Sequence, residues 1–156
     1  IRDILLSNKS QINDISELLL FQAARANLVE NIIKPALEND IFVLCDRFYD
    51  STTAYQGYGR MIDLDIVKTC NIIAVNGLKP DLTFYLKLPL DVAKERSHKR
   101  DLDRIENAGD SFYKRVLLGY ELIAREEPER IKIICSNGTI ENTKNEILKN
   151  IPILNQ

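Results

Sequence analysis

Residues 41–60 read IFVLCDRFYDSTTAYQGYGR. Ile41-Phe42-Val43-Leu44-Cys45 is a short apolar burst that follows the polar Glu38-Asn39-Asp40 and breaks off in charge. That profile predicts a buried parallel strand over 41–45. Residues 46–60 then crowd together two acids, two arginines, three hydroxyl residues, three tyrosines, an amide and two glycines. In open α/β sheets, ligands bind in the crevice beyond the carboxyl ends of the strands. Asp46 and Arg47 are therefore expected at the lip of such a crevice. Arg47 offers a planar fork suited to a phosphate, and the following hydroxyls and Gln56 suit a polar ring. The plain alternative is a tyrosine-rich surface loop with an Asp–Arg ion pair, but loops carry function disproportionately.

Outward from this stretch, apolar bursts alternate with helical patterns. Residues 14–39 read as one long helix, apolar around much of its surface, with Pro35 expected to kink or tighten its last turn. Asp63 is placed to cap a helix over 64–75, which Asn76-Gly77 stops. A second strand is expected over Leu82–Leu88, and a helix from Leu90 runs into a basic stretch ending near Arg100. Asp110 is placed to cap a helix to about Glu127, ended by Pro128. Ile131–Cys135 reads as a third strand and Ser136-Asn137-Gly138 as a turn, with Thr139 capping a last helix to Lys149. Strands alternating with helices indicate an α/β protein with a parallel sheet.

The chain has 156 residues, enough for one domain (1–156) with a real core. Its 45% hydrophobic and 28% charged content is ordinary for a soluble globular protein. A net charge of −2 gives no case for nucleic acid or a membrane surface as partner. No apolar run has the length of a membrane span. Cys45, Cys70 and Cys135 lack metal-ligand spacing and read as reduced core thiols of a cytoplasmic protein. A single histidine, His98, argues against His-based catalysis.

Two further constellations carry chemistry. Leu18, Phe21, Arg25, Leu28 and Ile32 fall on one stripe of the first helix. Arg25 is the anomaly, since a charge on a burial stripe must find a partner. Phe21 lies one turn away, and an aromatic plane beside a fork donor suits a nucleobase. The competing reading is a core Phe with Arg25 snorkelling to solvent. Residues 94–106, KERSHKRDLDRIE, are dense in charge. Such a run is commonly a solvated face. A mobile basic lid would instead bring an arginine to neutralise a transferring phosphoryl group.

Asp46-Arg47-Phe48, Ser51, Ala54-Tyr55-Gln56-Gly57 and Gly59-Arg60 resemble the signature of bacterial thymidylate kinases. LLLFQAARANLVENIIKPAL (18–37), GLKPDLTFYLKLP (77–89) and LDRIE (102–106) fit the same family in the same order. The resemblance thus runs from Ile1 nearly to the C-terminus. It implies a P-loop nucleoside monophosphate kinase-like parallel sheet wrapped by helices, and phosphoryl transfer from ATP to dTMP with Mg²⁺ bridging the phosphates. Family members are usually homodimers. By the same resemblance Phe21 and Arg25 hold the thymine ring, and Arg47 binds the dTMP phosphate with Asp46 beside it. Thr52 and Gln56 lie near the base. Tyr55 packs under the deoxyribose and crowds the space of a 2′-hydroxyl. Phe48 stands where Tyr or His is commoner, so a hydrogen bond there is expected to be lost without harm.

The lid of the family corresponds to about residues 94–109. There Arg96, Arg100 and Arg104 are candidate catalytic arginines, and Asp103 and Glu106 resemble an acidic lid pair. Asn137 and Gly138 match the loop beside the adenine of ATP. The family also opens with a strand and a glycine loop ending in Gly-Lys-Ser/Thr, which these residues do not contain. The expectation is a further strand–loop–helix unit of roughly 30–50 residues, without which residues 1–156 alone should not transfer phosphate. The rival readings are a nucleotide-binding remnant that holds dTMP without transferring phosphate, and a related deoxynucleoside or nucleotide kinase.

Overall fold

The structure is a computed structural model that describes residues 1–9, 11–97 and 104–151. The chain forms two compact units, Ile1–Lys79 with Leu102–Tyr120, and Pro80–Asp101 with Glu121–Gln156. Among the described residues, no helix is long and apolar enough to cross a membrane.

The first unit is helical. After α1 (Arg2–Leu6), Asn13 caps α2 (Asp14–Leu28) by accepting from Ser16 N at 2.8 Å. The helix continues through a wide π turn, Val29–Ile33, into α3 (Lys34–Glu38). The ladder therefore opens before Pro35 instead of tightening after it. Proline brings no N–H and crowds the carbonyl four residues back, and a wider turn relieves both. Leu18, Gln22, Val29 and Ile33 form the buried face. Beyond Leu18 that face lies one residue on from the expected stripe, at 22, 29 and 33 in place of 21, 28 and 32, and it takes in the buried amide Gln22.

The motif segment is helical too, α4 (Tyr49–Thr52) running straight into a second wide turn, Thr53–Gly59. Asp63 accepts from Asp65 N at 2.8 Å and caps α5 (Leu64–Val75). Asn76 (φ 45°) and Gly77 (φ 80°) stop it in the left-handed region. α5 packs on α2. Phe112 and Val116, near the start of α7 (Asp110–Glu126), complete this core. Gly59 admits their close approach, for a Cβ there would stand 2.6 Å from the Phe112 ring and 2.8 Å from Val116.

The expected strand over 41–45 is corrected. These residues form no ladder, and Ile41, Phe42 and Leu44 are 57%, 75% and 88% exposed. An apolar run becomes a strand only when a neighbouring strand takes its backbone groups, and none among the described residues does so. Cys45 and Cys135 are exposed and Cys70 half-buried, so the thiols are free but are not core residues.

In the second unit, β1 (Thr83–Lys87) and β2 (Ile131–Cys135) pair in parallel from Thr83↔Ile131 to Lys87↔Cys135. Buried Arg130 pins the start of both strands, gripping Glu127 through two 3.0 Å bonds and donating to Thr83 Oγ1 at 2.9 Å. This unit also holds α6 (Leu90–Ser97) and α8 (Ile140–Lys149), the latter capped by Thr139 as its sequence predicts. The sheet is parallel, as expected, and small.

Candidate active site

Glu17 follows Ser16 on α2, just ahead of Leu18-Leu19-Leu20, and is fully buried at 0% exposure. A buried carboxylate survives only with partners, and this one has three. Gln56 Nε2 donates to it at 2.8 Å, and Arg60 donates through Nε at 3.1 Å and Nη2 at 3.0 Å. Arg104 Nη2 donates to its second oxygen. Burial alone would raise the Glu17 pKa, but the hydrogen bonds from Arg60, Gln56 and Arg104 outweigh it and hold the carboxyl below its ordinary value. Arg60 also lies 4.7 Å over the Phe112 ring. The middle of this turn, at Gln56, and the residue that ends it, Arg60, are thus tied to α2 by one charge.

Arg25, two turns along α2, is half-buried. Its Nη1 donates to Gln22 Oε1 at 2.7 Å and its Nη2 to the Phe48 carbonyl at 3.2 Å, with the guanidinium 5.6 Å over the Phe48 ring. Burial lowers its pKa to about 10, against the opposing influence of Cys45 and Asp50, so it keeps its charge at neutral pH. Phe21 is half-buried one turn earlier on the same helix. Phe48 is a partner of Arg25 through its ring and its backbone, so the side-chain hydrogen bond expected to be missing there is not what this position supplies.

Arg47, just ahead of α4, opens the motif segment with φ 66°. A non-glycine residue in this region stores strain of order 1–3 kcal/mol, and such outliers cluster at functional sites. Arg47 is an exposed residue whose guanidinium lies 5.3 Å over the Tyr55 ring. Tyr55 in turn meets Phe112 and Tyr120 edge-on, at 5.9 and 6.3 Å between ring centres. Tyr120 donates to Ser51 Oγ at 2.7 Å, and burial pushes its phenol up to about 12. It is therefore a neutral donor at physiological pH.

Phe21, Arg25, Asp46, Arg47 and Tyr55 are exposed or half-buried, while Thr52 and Gln56 are each 2% exposed. Gln56 turns its amide to Glu17. Among the arginines expected in a lid, Arg104 is bound to Glu17 and donates from Nε to the Leu5 carbonyl at 3.0 Å. Arg100 and Asp103 lie outside the described residues, as do the side chains of Arg96 and Glu106. Asn137 and Gly138 are exposed in the turn after β2.

Glu17, Gln22, Arg60, Asn71 and Tyr120 were given no role from sequence. Glu17 had a readable signal, a carboxylate entering an apolar helical run. Asn71, inside the apolar stretch Ile66–Val75, had a weaker one.

The Thymidylate kinase family model matches residues 1–147. Over 99% of its length the chain is 46% identical to the thymidylate kinase of Chlorobaculum parvum, covering 76% of that protein. It is 49% identical to that of Prosthecochloris aestuarii over 90% of the chain, covering 67% of the relative. The thymidylate kinase of Kosmotoga olearia is 41% identical over 96% of the chain, with 72% of the relative covered.

Proposed function

The chain belongs to the thymidylate kinase family, and from that premise we infer that it transfers a phosphoryl group from ATP to dTMP, giving ADP and dTDP. The observation that carries the assignment of the monophosphate site is Arg47, an exposed residue with a strained backbone whose guanidinium lies over the Tyr55 ring, next in sequence to Phe48 of the Arg25–Phe48 pair. Arg47 takes the dTMP phosphate as a bidentate, charge-assisted contact. Arg25, charged and half-buried, donates to a carbonyl oxygen of thymine while Phe21 offers its ring to the base. Phosphoryl transfer needs mainly positioning and charge neutralisation, and these residues supply the positioning of the acceptor.

Gln56 and Thr52 act from beneath, holding the turn that carries Tyr55. Arg104 anchors the end of the lid through Glu17 and Leu5, which leaves Arg96 and Arg100 as the lid arginines for the transferring group. Asn137 and Gly138 are the proposed neighbours of the ATP adenine. Mg²⁺ bound by such enzymes keeps several waters and takes one or two carboxylates plus substrate phosphates. No group of three or more His, Cys, Asp or Glu suited to a metal occurs among the described residues. The exposed carboxylate of Asp46, beside Arg47, fits the Mg²⁺ donor set and would hold the ion. Bound there, Mg²⁺ would supply charge neutralisation on the phosphates.

Tyr55 tests the reading. Its ring meets Phe112 and Tyr120 edge-on, and that backing sets it against a 2′-hydroxyl. Coupled measurement of ADP release by the full gene product should show preference for dTMP over the ribonucleotide by on the order of tenfold or more, narrowed by Tyr55→Ala. No dTMP-dependent ADP release would refute the function. An unchanged preference in Tyr55→Ala would move sugar selection elsewhere.

The homodimer is proposed on the packed pair α2 and α5, which leaves Ile15, Leu19, Ile66 and Ile73 exposed. Exposed apolar residues on adjoining helices suit a second copy of the chain. Sedimentation should give a dimer at micromolar concentration and a monomer for Leu19→Glu. A monomeric wild-type protein would rule the interface out.

A further inference from the structure

Gln22 and Asn71 are buried amides that no step of the reaction uses. They connect Arg25 to the motif segment by a directed series of hydrogen bonds. Arg25 Nη1 donates to Gln22 Oε1 at 2.7 Å, and Gln22 Nε2 donates to Asn71 Oδ1 at 2.6 Å. Asn71 Nδ2 donates to Thr53 Oγ1 at 3.0 Å, and that hydroxyl donates to the Tyr49 carbonyl at 3.3 Å. A carboxamide has one accepting end and one donating end. A guanidinium only donates, so it can face Gln22 only through the amide oxygen. The far end of the relay is a backbone carbonyl, which only accepts. With both ends fixed in sense, neither amide can rotate by half a turn without setting donor against donor.

We propose that Gln22 and Asn71 are specificity-determining positioning residues, whose relay aims the Arg25 guanidinium so that the base site accepts a ring carbonyl and rejects a ring amine. This rests on the assignment of Arg25 to the base. Three anchors hold the guanidinium, namely Gln22, the Phe48 carbonyl and the Phe48 ring. Of these, Gln22 alone is a side-chain acceptor that could present a donor instead. Were it to turn over, its NH₂ would repel Arg25 and swing it from the ring carbonyl of thymine. The 4-amino group of cytosine would then lose less by comparison. Buried polar groups built to match a ligand's hydrogen bonds give the strongest discrimination, because a mismatch leaves them unpaired.

Calorimetric titration with dTMP and dCMP tests the proposal on Gln22→Met, which keeps the volume and removes both polar ends, and on Asn71→Leu, which leaves Gln22 free to turn. Each should lower the dTMP-to-dCMP affinity ratio by about tenfold. Gln22→Glu, which presents only oxygen to Arg25, should restore most of that ratio, a rescue that a purely structural role would not give. Arg25→Met is the control. If it lowers the ratio while Gln22→Met and Asn71→Leu leave it unchanged, the relay is overturned and the base assignment stands. An unchanged ratio in Arg25→Met itself overturns the base assignment. If one relay variant fails to fold, the other decides by the same ratio.

Discussion

Replacing Glu17 with alanine is expected to remove about 3–5 kcal/mol of stability, the usual cost of deleting one partner of a buried ion pair. The side chain is fully buried and accepts from Gln56, Arg60 and Arg104. Without it, two guanidiniums keep their charge in a largely desolvated setting, Asp14, at 3.5 Å, being a further carboxylate beside Arg60 among the described residues. Urea denaturation measures the loss. The same group sets an acid dependence. Its folded pKa lies below the ordinary 4.5, so its contribution is complete above that value and disappears as pH falls through the lower, folded value. Wild-type stability should therefore fall more steeply below about pH 4.5 than that of Glu17→Ala. Parallel acid profiles, or a loss under about 1 kcal/mol, would show that the cluster is not holding the motif turn to α2.

Arg47→Ala is expected to weaken dTMP binding by roughly 2–4 kcal/mol, or about 30- to 1,000-fold. Binding of thymidine, which lacks the phosphate, should change little. The contrast separates loss of a phosphate contact from general damage, because collapse of the motif turn would weaken both ligands together. Removing a side chain from a φ of 66° does not relieve the strain, for alanine meets the same backbone penalty. Equal affinity of wild type and Arg47→Ala for dTMP would end the assignment of the phosphate.

Local signals written into consecutive residues were legible in the sequence. The caps at Asp63 and Thr139, the stop at Asn76-Gly77 and the strand Ile131–Cys135 each follow from residue types a few positions apart. Features that depend on a partner distant in sequence were not legible. Residues 41–45 have the composition of a strand, but composition cannot state whether a neighbour is present to complete a ladder. The turn Thr53–Gly59 reads as loop because its glycines and hydroxyls are loop residues. It is helical because Phe112 and Val116 close directly on Gly59, and Arg115 donates to its carbonyl at 2.7 and 3.0 Å. Glycine at 59 is thus explained by packing more than by turning.

The site divides along the same line. Arg25 and Arg47 stood out because each is a charge where the pattern calls for burial or a strand end. Gln22 and Glu17 escaped notice since amides and carboxylates on a helix ordinarily face water. Only the fold shows that Gln22 meets Asn71, 49 residues later, and that Glu17 meets Arg104, 87 residues later. Phe48 shows the same divide. Its side chain is a departure from the family pattern, whereas its contribution to Arg25 includes the backbone carbonyl, which no substitution alters.

The motif segment and α2 are together proposed as the monophosphate site, with Arg47 on the phosphate and Arg25 on the base. A crystal structure with dTMP bound tests it most directly. The phosphate is expected within hydrogen-bond distance of the Arg47 guanidinium, with a thymine carbonyl oxygen facing Arg25 and the deoxyribose against Tyr55. A nucleotide whose phosphate lies away from Arg47 and whose base does not meet Arg25 would contradict it.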